Sequence, residues 1–595
     1  MKILCCFHLE FAYHQFDPVV GNDVTGLESE PFQFQKLYFY LDSSLRKMKE
    51  LEDLKPSEKQ QSAAEMMASQ RKRIAVVGGG VSGLLSIASL KEEGFETECF
   101  EKTDNHGGTW CYRDELIEGV PSIMPSTIAN HSKEMGAFSN FPPKKEYSVF
   151  MKNRELYQYI TDFAKTKDLL KHISYNTEVV AVRKAQDYED TGRWVVTVKC
   201  MNSGETFTGV YDGVMVCIGH INRPKIPMYP GKNLFRGKIM HSCSLKNNAP
   251  YVDQTVVVVG MGCSGLDAAV ETSNVAKQVY LSTRSGAHVM SRIGYEGYPF
   301  DYNFIRPYLY HLSCIVPFRI IKWLFKRTYL DCRFHHKLYP IEPDHEPFSK
   351  DLSLNDFIGS KLLSGSIIQK PDIECFTEEG VIFKGDFHVT KADVVIMATG
   401  YTWEFPFLER DTIVQEEGRI NLYKCMYPLQ LQHATLAIIG FFLPNGPAFP
   451  IGELQSRWAT RMFARKCKLP SKEEMLQEVK RRHSENSLRY TPSEKMSVRV
   501  SYVEYSYDLA DMIGAKPDVI KLFLTDITLF FKVYFGPVLP YHYRLQGPHA
   551  WNGAREAIMT STNRMLWGLT KGKSKTDHEH WFKVFVTKLK VLLLL

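Results

Sequence analysis

Ile74-Ala75-Val76-Val77-Gly78-Gly79-Gly80-Val81-Ser82-Gly83 decides the fold of this chain, and Val256-Val257-Val258-Val259-Gly260-Met261-Gly262-Cys263-Ser264-Gly265 repeats its plan. Each stretch reads as an apolar strand, a glycine turn and the start of a helix. In such a turn the first glycine permits the tight bend and the second lets backbone approach a pyrophosphate. The third lets helix and strand pack closely, and the helix N-terminus faces the phosphates. Two turns of this kind point to two nucleotides held by one protein. The simplest chemical reason is electron transfer between them.

The residue at the end of the following strand discriminates nucleotides. After the first turn, Glu96-Thr97-Glu98-Cys99-Phe100-Glu101 ends in a carboxylate. Glu101 can accept hydrogen bonds from ribose hydroxyls and would repel a 2′-phosphate, which suits FAD or NAD. After the second turn, Lys277-Gln278-Val279-Tyr280-Leu281-Ser282-Thr283-Arg284 ends in a guanidinium beside two hydroxyls, Ser282 and Thr283. That suits a 2′-phosphate, hence NADP. The competing reading of both ends is a solvated charge at a strand terminus.

Further segments carry a family resemblance. Gly107-Gly108-Thr109-Trp110 follows Glu101, Phe235-Arg236-Gly237-Lys238-Ile239-Met240-His241 fits FxGxxxH, and Met397-Ala398-Thr399-Gly400-Tyr401 is close to FATGY. Asn130-His131-Ser132-Lys133-Glu134-Met135 and Glu453-Leu454-Gln455-Ser456-Arg457-Trp458-Ala459-Thr460-Arg461 add to them. From about Arg73 to Trp551 the chain resembles an animal flavin-containing monooxygenase of the dimethylaniline monooxygenase type. The resemblance implies FAD at Gly78, Gly80, Ser82, Gly83, Glu101, Gly108, Thr109 and Trp110. It implies NADPH at Gly260, Gly262, Ser264, Gly265, Ser282, Thr283 and Arg284. Gln455 and Arg457 are expected either to reach a cofactor from a second direction or to be polar residues facing the core. Asn130 stands where the family has an amide near the flavin edge; a local turn is its alternative.

By the same resemblance, NADPH reduces FAD and oxygen then forms a C4a-hydroperoxyflavin. Its distal oxygen passes to an amine nitrogen or a sulfide sulfur of a small molecule. The implied location is the endoplasmic reticulum membrane, with the catalytic body facing the cytosol. Three departures bear on this. Leu245 stands where the fingerprint normally closes with Tyr or Phe, Met397 replaces the Phe of FATGY, and Cys263 replaces an Asn in the second turn. Rival readings are a Baeyer–Villiger monooxygenase, which should show Trp at the place of Leu245, and an uncoupled NADPH oxidase releasing peroxide. A third is a non-enzymatic membrane scaffold; the intact glycines, Glu101 and Arg284 count against it.

Composition bounds the rest. A chain of 595 residues, 44% hydrophobic and 24% charged, is neither disordered nor polytopic and should form more than one core. A net charge of +6 is too small to argue for nucleic acid. Thirteen scattered cysteines without a CxxC argue against a disulfide framework, a zinc ribbon and a disulfide reductase, and a reducing compartment is the default. Cys99 and Cys217 lie in apolar strand patterns and are expected to be buried and inert. His335-His336 lacks two further ligands at zinc-like spacing, so no metal is expected. Ser264 sits in GxGxxG, not GxSxG, and is no nucleophile. His241 reads as a linker between elements, not as an acid–base group.

The expected organisation is α/β, with two doubly wound dinucleotide-binding domains for FAD and NADP, a helical insertion and a hydrophobic tail. Residues 1–70 form an extension outside the core. The FAD domain takes 71–223 and resumes over 401–550. The NADP domain takes 224–400, interrupted at about 296–365, and 551–595 is a membrane-associating tail. Residues 581–595 as a helix would span roughly 22 Å against a hydrocarbon core of about 30 Å, and Lys583, Lys588 and Lys590 suit the interface. The insertion, with Trp323 among Arg319, Lys322, Lys326 and Arg327, is a second candidate contact with a membrane surface; a basic helix packed on the body is its alternative. Oligomeric state is not legible.

Overall fold

Arg73–Val77 becomes the central strand of a five-stranded parallel sheet. Glu96–Phe100 and then Ile173–Ser174 lie to one side, Gly213–Val216 and then Leu436–Ile438 to the other. Thr255–Val259 takes the same place in a second parallel sheet. Gln278–Ser282 and Ile367–Lys370 lie on one side of it, Val394–Met397 and Lys238–His241 on the other. Parallel strands are covered on both faces, so their sequences are unbroken apolar runs instead of alternating ones. Ile74, Ala75, Val76, Val256, Val257 and Val258 are all fully buried. The computed structural model describes residues 71–416 and 419–570. The extension 1–70 and the tail segment 581–595 lie outside the described residues. Apart from 314–317, the described residues belong to one compact unit.

In each sheet the strand order reverses across the central strand. Doubly wound sheets bind ligands at this point, beyond the carboxyl ends of the strands. Both glycine turns stand at this point. The halves share a further device: a three-stranded antiparallel sheet precedes the strand that returns beside the centre. It is Thr177–Lys184, Trp194–Cys200 and Thr206–Tyr211 in the first half, and Ile373–Phe376, Gly380–Phe383 and Thr390–Lys391 in the second. The two units thus repeat by fold although the sequence shows no repeat. Where the chain crosses between them, Arg223–Pro224 and Tyr401–Thr402 pair as a short antiparallel ribbon.

The helix Ala448–Phe463 packs across Val81–Glu92, with Leu454, Trp458 and Ala459 buried against Leu84 and Leu85. Between the second unit's strands, Phe300–Phe304, Pro307–Ser313 and Phe318–Phe325 form short helices. The chain returns through Ser353–Leu354, which pairs parallel with Val289–Met290. The helix Ala554–Thr570 buries Ala557, Ile558 and Met565. Its Arg564 makes two hydrogen bonds, at 3.0 and 2.7 Å, to the wholly buried Glu134. The packed body therefore reaches residue 570, into the stretch expected as a tail. Among the described residues no helix is long and apolar enough to cross a membrane.

Candidate active site

The first turn is built from close backbone contacts. Gly78 has φ of +101°, and a methyl there would lie 2.9 Å from the Cys217 carbonyl oxygen. A methyl on Gly83 would land on the Gly78 carbonyl, so the third glycine closes the turn on itself. Gly80 differs: its φ is −70°, and an added methyl would meet only the Gly108 backbone, at an ordinary contact distance of 3.5 Å from its Cα. The constraint at Gly80 is therefore not intramolecular. Gly107 N–H donates to the Gly79 carbonyl at 2.9 Å, which docks the Gly108–Trp110 turn against the glycine loop.

Glu101 is buried, and its carboxylate closes the same loop. Oε2 accepts from Gly79 N–H at 2.7 Å; Oε1 accepts from Thr103 N–H at 2.9 Å and from the Thr103 hydroxyl at 2.7 Å. Two carboxylate oxygens offer about four acceptor sites, so capacity for a ribose hydroxyl remains. Gly78, Gly80, Ser82, Glu101, Gly108, Thr109 and Trp110 all line one cavity of about 650 Å³. Phe442 and Phe449 complete its apolar wall. Gln455 does not line it. It is wholly buried behind the wall, where Oε1 accepts from Gly440 N–H and Nε2 donates to the Tyr505 hydroxyl, both at 2.9 Å. Gly440, with φ of +78°, lies in the left-handed region that favours glycine, and a methyl there would displace the Ser82 hydroxyl. Arg457 turns away to the carbonyls of Tyr543 and Pro548.

The second turn copies the first. Gly260 has φ of +109° beside the Ala398 carbonyl, and a methyl on Gly265 would strike the Gly260 carbonyl. Around Gly262 nothing lies within 4 Å of an added methyl. Ser264 is exposed at the helix start, and Arg284 is exposed at the strand end. Ser282 is buried and its hydroxyl donates to the Pro371 carbonyl at 2.8 Å, while Thr283 Oγ1 accepts from Gly286 N–H at 3.0 Å. Arg284 is thus the strand-end group turned to solvent. Cys263 packs inward beside Met290 and Leu354, and burial raises its thiol pKa.

The other departures also pack. Leu245 and Met397 are buried in the core of the second unit. His241 is buried and uses both ring nitrogens. Nδ1 accepts from Cys243 N–H at 3.2 Å, leaving Nε2 to donate to the Gly400 carbonyl at 3.0 Å. Its pKa is lowered by burial, so it is a neutral link between the FxGxxxH segment and the Met397–Tyr401 segment. Cys99 and Cys217 are buried; burial pushes the Cys217 thiol up to about 12.

Asn130 is exposed on the loop leading to Ser132, outside the 650 Å³ cavity. Its Oδ1 accepts from Arg292 Nη2 at 2.8 Å. Arg292, Gly440, Phe442 and Phe449 have no short-range motif around them; only Gly440, directly after an apolar strand, carries a turn signal. Among the described residues no group of three His, Cys, Asp or Glu side chains is arranged to hold a metal ion.

These residues fit two dinucleotides. At Gly80 and Gly262 the backbone leaves open the space a side chain would fill, each at a helix N-terminus whose N–H groups favour phosphate. The aromatic wall of the first cavity suits a flat ring system.

A family profile described as flavin-binding monooxygenase-like matches residues 71–595. Human flavin-containing monooxygenase 2 is 39% identical over 524 residues, 88% of this chain and 97% of that protein. Rat dimethylaniline monooxygenase (N-oxide-forming) 2 is 40% identical over 497 residues, covering 83% and 92%. In fold, garlic S-allyl-L-cysteine S-oxygenase superposes with a TM-score of 0.57 at 22% identity, covering 82% of this chain and 99% of that one. The OTEMO complex with FAD and NADP gives 0.55 at 16% identity, covering 74% and 98%. With both nucleotide cradles present, the chain belongs to the flavin-binding monooxygenase-like family and is an NADPH-dependent flavin monooxygenase.

Proposed function

We propose that this enzyme transfers one oxygen atom to soft nucleophilic nitrogen or sulfur centres of small molecules, with FAD on the first turn and NADPH on the second. The observation that carries this reading is the pair of matched cradles, one walled by aromatic rings and ending in Glu101, the other open and ending in Arg284. When bound, the flavin accepts hydride from NADPH and activates molecular oxygen. The chain does the rest. Glu101 shapes the first loop and meets ribose, and Arg284 pairs with a 2′-phosphate. Phe442, Phe449 and Trp110 keep water from the ring system. The Asn130 amide lies outside the cavity, and its proposed role is to donate to oxygen where the flavin edge would leave that cavity, while carrying no acidic proton.

The experiment is product analysis on purified holoenzyme with NADPH and air, offering N,N-dimethylaniline, an aryl methyl sulfide and cyclohexanone in separate reactions. The N-oxide and sulfoxide are expected. Lactone from cyclohexanone, with neither of the others, would turn the assignment to Baeyer–Villiger chemistry. Hydrogen peroxide equal to NADPH consumed would turn it to an oxidase, the reading that Cys263 in the second turn favours.

We also infer a membrane-surface location, at the endoplasmic reticulum with the body facing the cytosol. The support is the helix Phe318–Phe325, which exposes 48% of both Ile320 and Trp323 among Arg319, Lys322 and Arg327. An apolar face edged by cations suits an anionic lipid surface.

A further inference from the structure

We propose that Arg292 is a positioning residue that fixes which way the Asn130 amide points, and that it does so from an anchor on the second nucleotide unit. The proposal rests on the reading of Asn130 as the donor at the flavin edge.

An asparagine side chain can turn over by half a rotation, exchanging acceptor for donors at little cost unless its partners choose. Here the partner chooses. A guanidinium only donates, so the contact at 2.8 Å must be to Oδ1, and both amide hydrogens face away from Arg292. Arg292 is itself held from several sides. Nε and Nη2 donate to the carbonyls of Ala129 and Ile128, each at 3.3 Å, so the guanidinium grips the backbone leading into Asn130 as well as its side chain. Nη1 pairs with Asp356 at 3.0 Å, and Asp356 also accepts from Arg292 N–H at 2.9 Å and from the Ser291 hydroxyl at 2.8 Å. Arg292 is only 6% exposed, which strengthens each of these contacts relative to a surface pair.

The anchor leads back to the second turn. Asn355, next to Asp356, donates to Asp267 at 2.9 Å, and Asp267 lies on the helix that begins at Cys263. Ser353 donates to the carbonyl of Met261, within the glycine turn, at 2.8 Å. The far side of the Asn130 loop is braced separately, since Asp301 accepts from Ser132 N–H at 2.6 Å. The amide is therefore registered against the NADP-side backbone, not only against its own loop.

The test uses the full-length holoenzyme. Arg292→Lys keeps the charge opposite Asp356 but offers one point donor in place of a planar fork, so the amide loses its fixed orientation. Expected are unchanged flavin content and melting temperature, an NADP⁺ dissociation constant within threefold of the parent, and about a tenfold higher ratio of hydrogen peroxide to oxygenated product. The oxidised flavin's visible band should shift as it does in Asn130→Ala, a readout that needs no turnover. Combining the two substitutions should add no more than twofold to the larger single effect, the signature of one shared interaction. If Arg292→Lys does not load flavin, Asp356→Asn, which leaves the guanidinium in place but loosens it, should show the same pattern more weakly. A normal peroxide ratio in both Arg292→Lys and Asp356→Asn, with a raised ratio in Asn130→Ala, would overturn the clamp and leave the Asn130 reading standing. A normal ratio in Asn130→Ala would remove both. An NADP⁺ dissociation constant raised tenfold or more in Arg292→Lys would show instead that Arg292 binds the nucleotide.

Discussion

The Glu101 carboxylate accepts the Gly79 N–H at 2.7 Å. The acid at the end of the second strand therefore shapes the glycine loop proposed to hold the pyrophosphate, in addition to any contact with ribose. A charge-assisted hydrogen bond of this kind is worth about 1.5–3 kcal/mol. Glu101→Gln keeps the shape and gives up the charge and one acceptor. FAD affinity should fall by roughly 10- to 100-fold on that figure. Titration of apo-protein with FAD checks it; an unchanged affinity would show that the carboxylate's work is confined to Thr103.

Gly80 and Gly83 should fail differently. Gly80 has room for a methyl in the protein itself, whereas Gly83 has none against the Gly78 carbonyl. Gly80→Val is expected to fold and melt near the parent temperature but purify without yellow colour, because the side chain fills the pyrophosphate's place. Gly83→Ala is expected to be lost to aggregation, since the closed turn cannot form. Full flavin content in folded Gly80→Val would move the flavin elsewhere.

Arg284 is the residue we propose to set the coenzyme. It is the exposed cation at the end of the second unit's strand, and the hydroxyl of Ser282 is already used by Pro371. Arg284→Ala should weaken NADPH by roughly 10- to 100-fold and leave NADH nearly unchanged, on about 1.5–3 kcal/mol for a charge-assisted phosphate contact. Steady-state KM for both coenzymes decides; equal losses would make Arg284 structural.

The glycine spacing and the strand ends were legible because each is written in one short run of sequence, whereas the segments around Trp110, His241 and Gly400 were legible only as family-like motifs, since Gly107 docks on Gly79 and His241 reaches the Gly400 carbonyl. The turn at Gly260 combines a positive φ, legible from the glycine, with the close approach of the distant Ala398 carbonyl, which is not. What was not legible depends on distant partners. Arg292 and Asn130 are 162 positions apart, and nothing near either reveals the other. Gln455 illustrates the opposite limit: its position on a family-like segment is plain, but whether its amide meets a cofactor or Gly440 N–H depends on how the helix Ala448–Phe463 is rotated. The packing of Ala554–Thr570 was hidden too, because Arg564 reads as a surface cation until Glu134 is brought beneath it.

His542 should contribute to acid sensitivity. It is wholly buried with neither ring nitrogen hydrogen-bonded, and burial lowers its pKa to about 3 from an ordinary 6.5. Below pH 6.5 the unfolded chain takes up a proton there that the folded protein refuses, so stability falls with pH through the window from 6.5 toward 3. Each pH unit in that window is worth about 1.4 kcal/mol per histidine, so some 2 kcal/mol is lost between pH 6.5 and 5. His542→Phe should remove that part of the decline, measured as a smaller drop in denaturant midpoint between pH 7 and 5. A parallel decline in both proteins would mean that His542 is protonated in the fold.

Attachment to a lipid surface should depend on Ile320 and Trp323. Both are 48% exposed on one short helix, and Arg327 lies 5.6 Å from the Trp323 ring, the arrangement of an aromatic residue seated at headgroup depth beside a cation. Burying the exposed half of two such side chains is worth about 1.5–3 kcal/mol in all, at half of the full-burial value for each. Ile320→Glu with Trp323→Glu should therefore lower binding to phosphatidylserine-containing vesicles at least tenfold. Flavin content and turnover per flavin should stay unchanged, because neither residue lines the flavin cavity. Deleting residues 581–595 should lower binding by a separate factor, and salt should weaken what remains, since Arg319, Lys322 and the tail lysines act through anionic headgroups. The measurement is co-sedimentation with vesicles across ionic strength. Binding that survives both changes and resists an alkaline wash would place the attachment on another part of the chain.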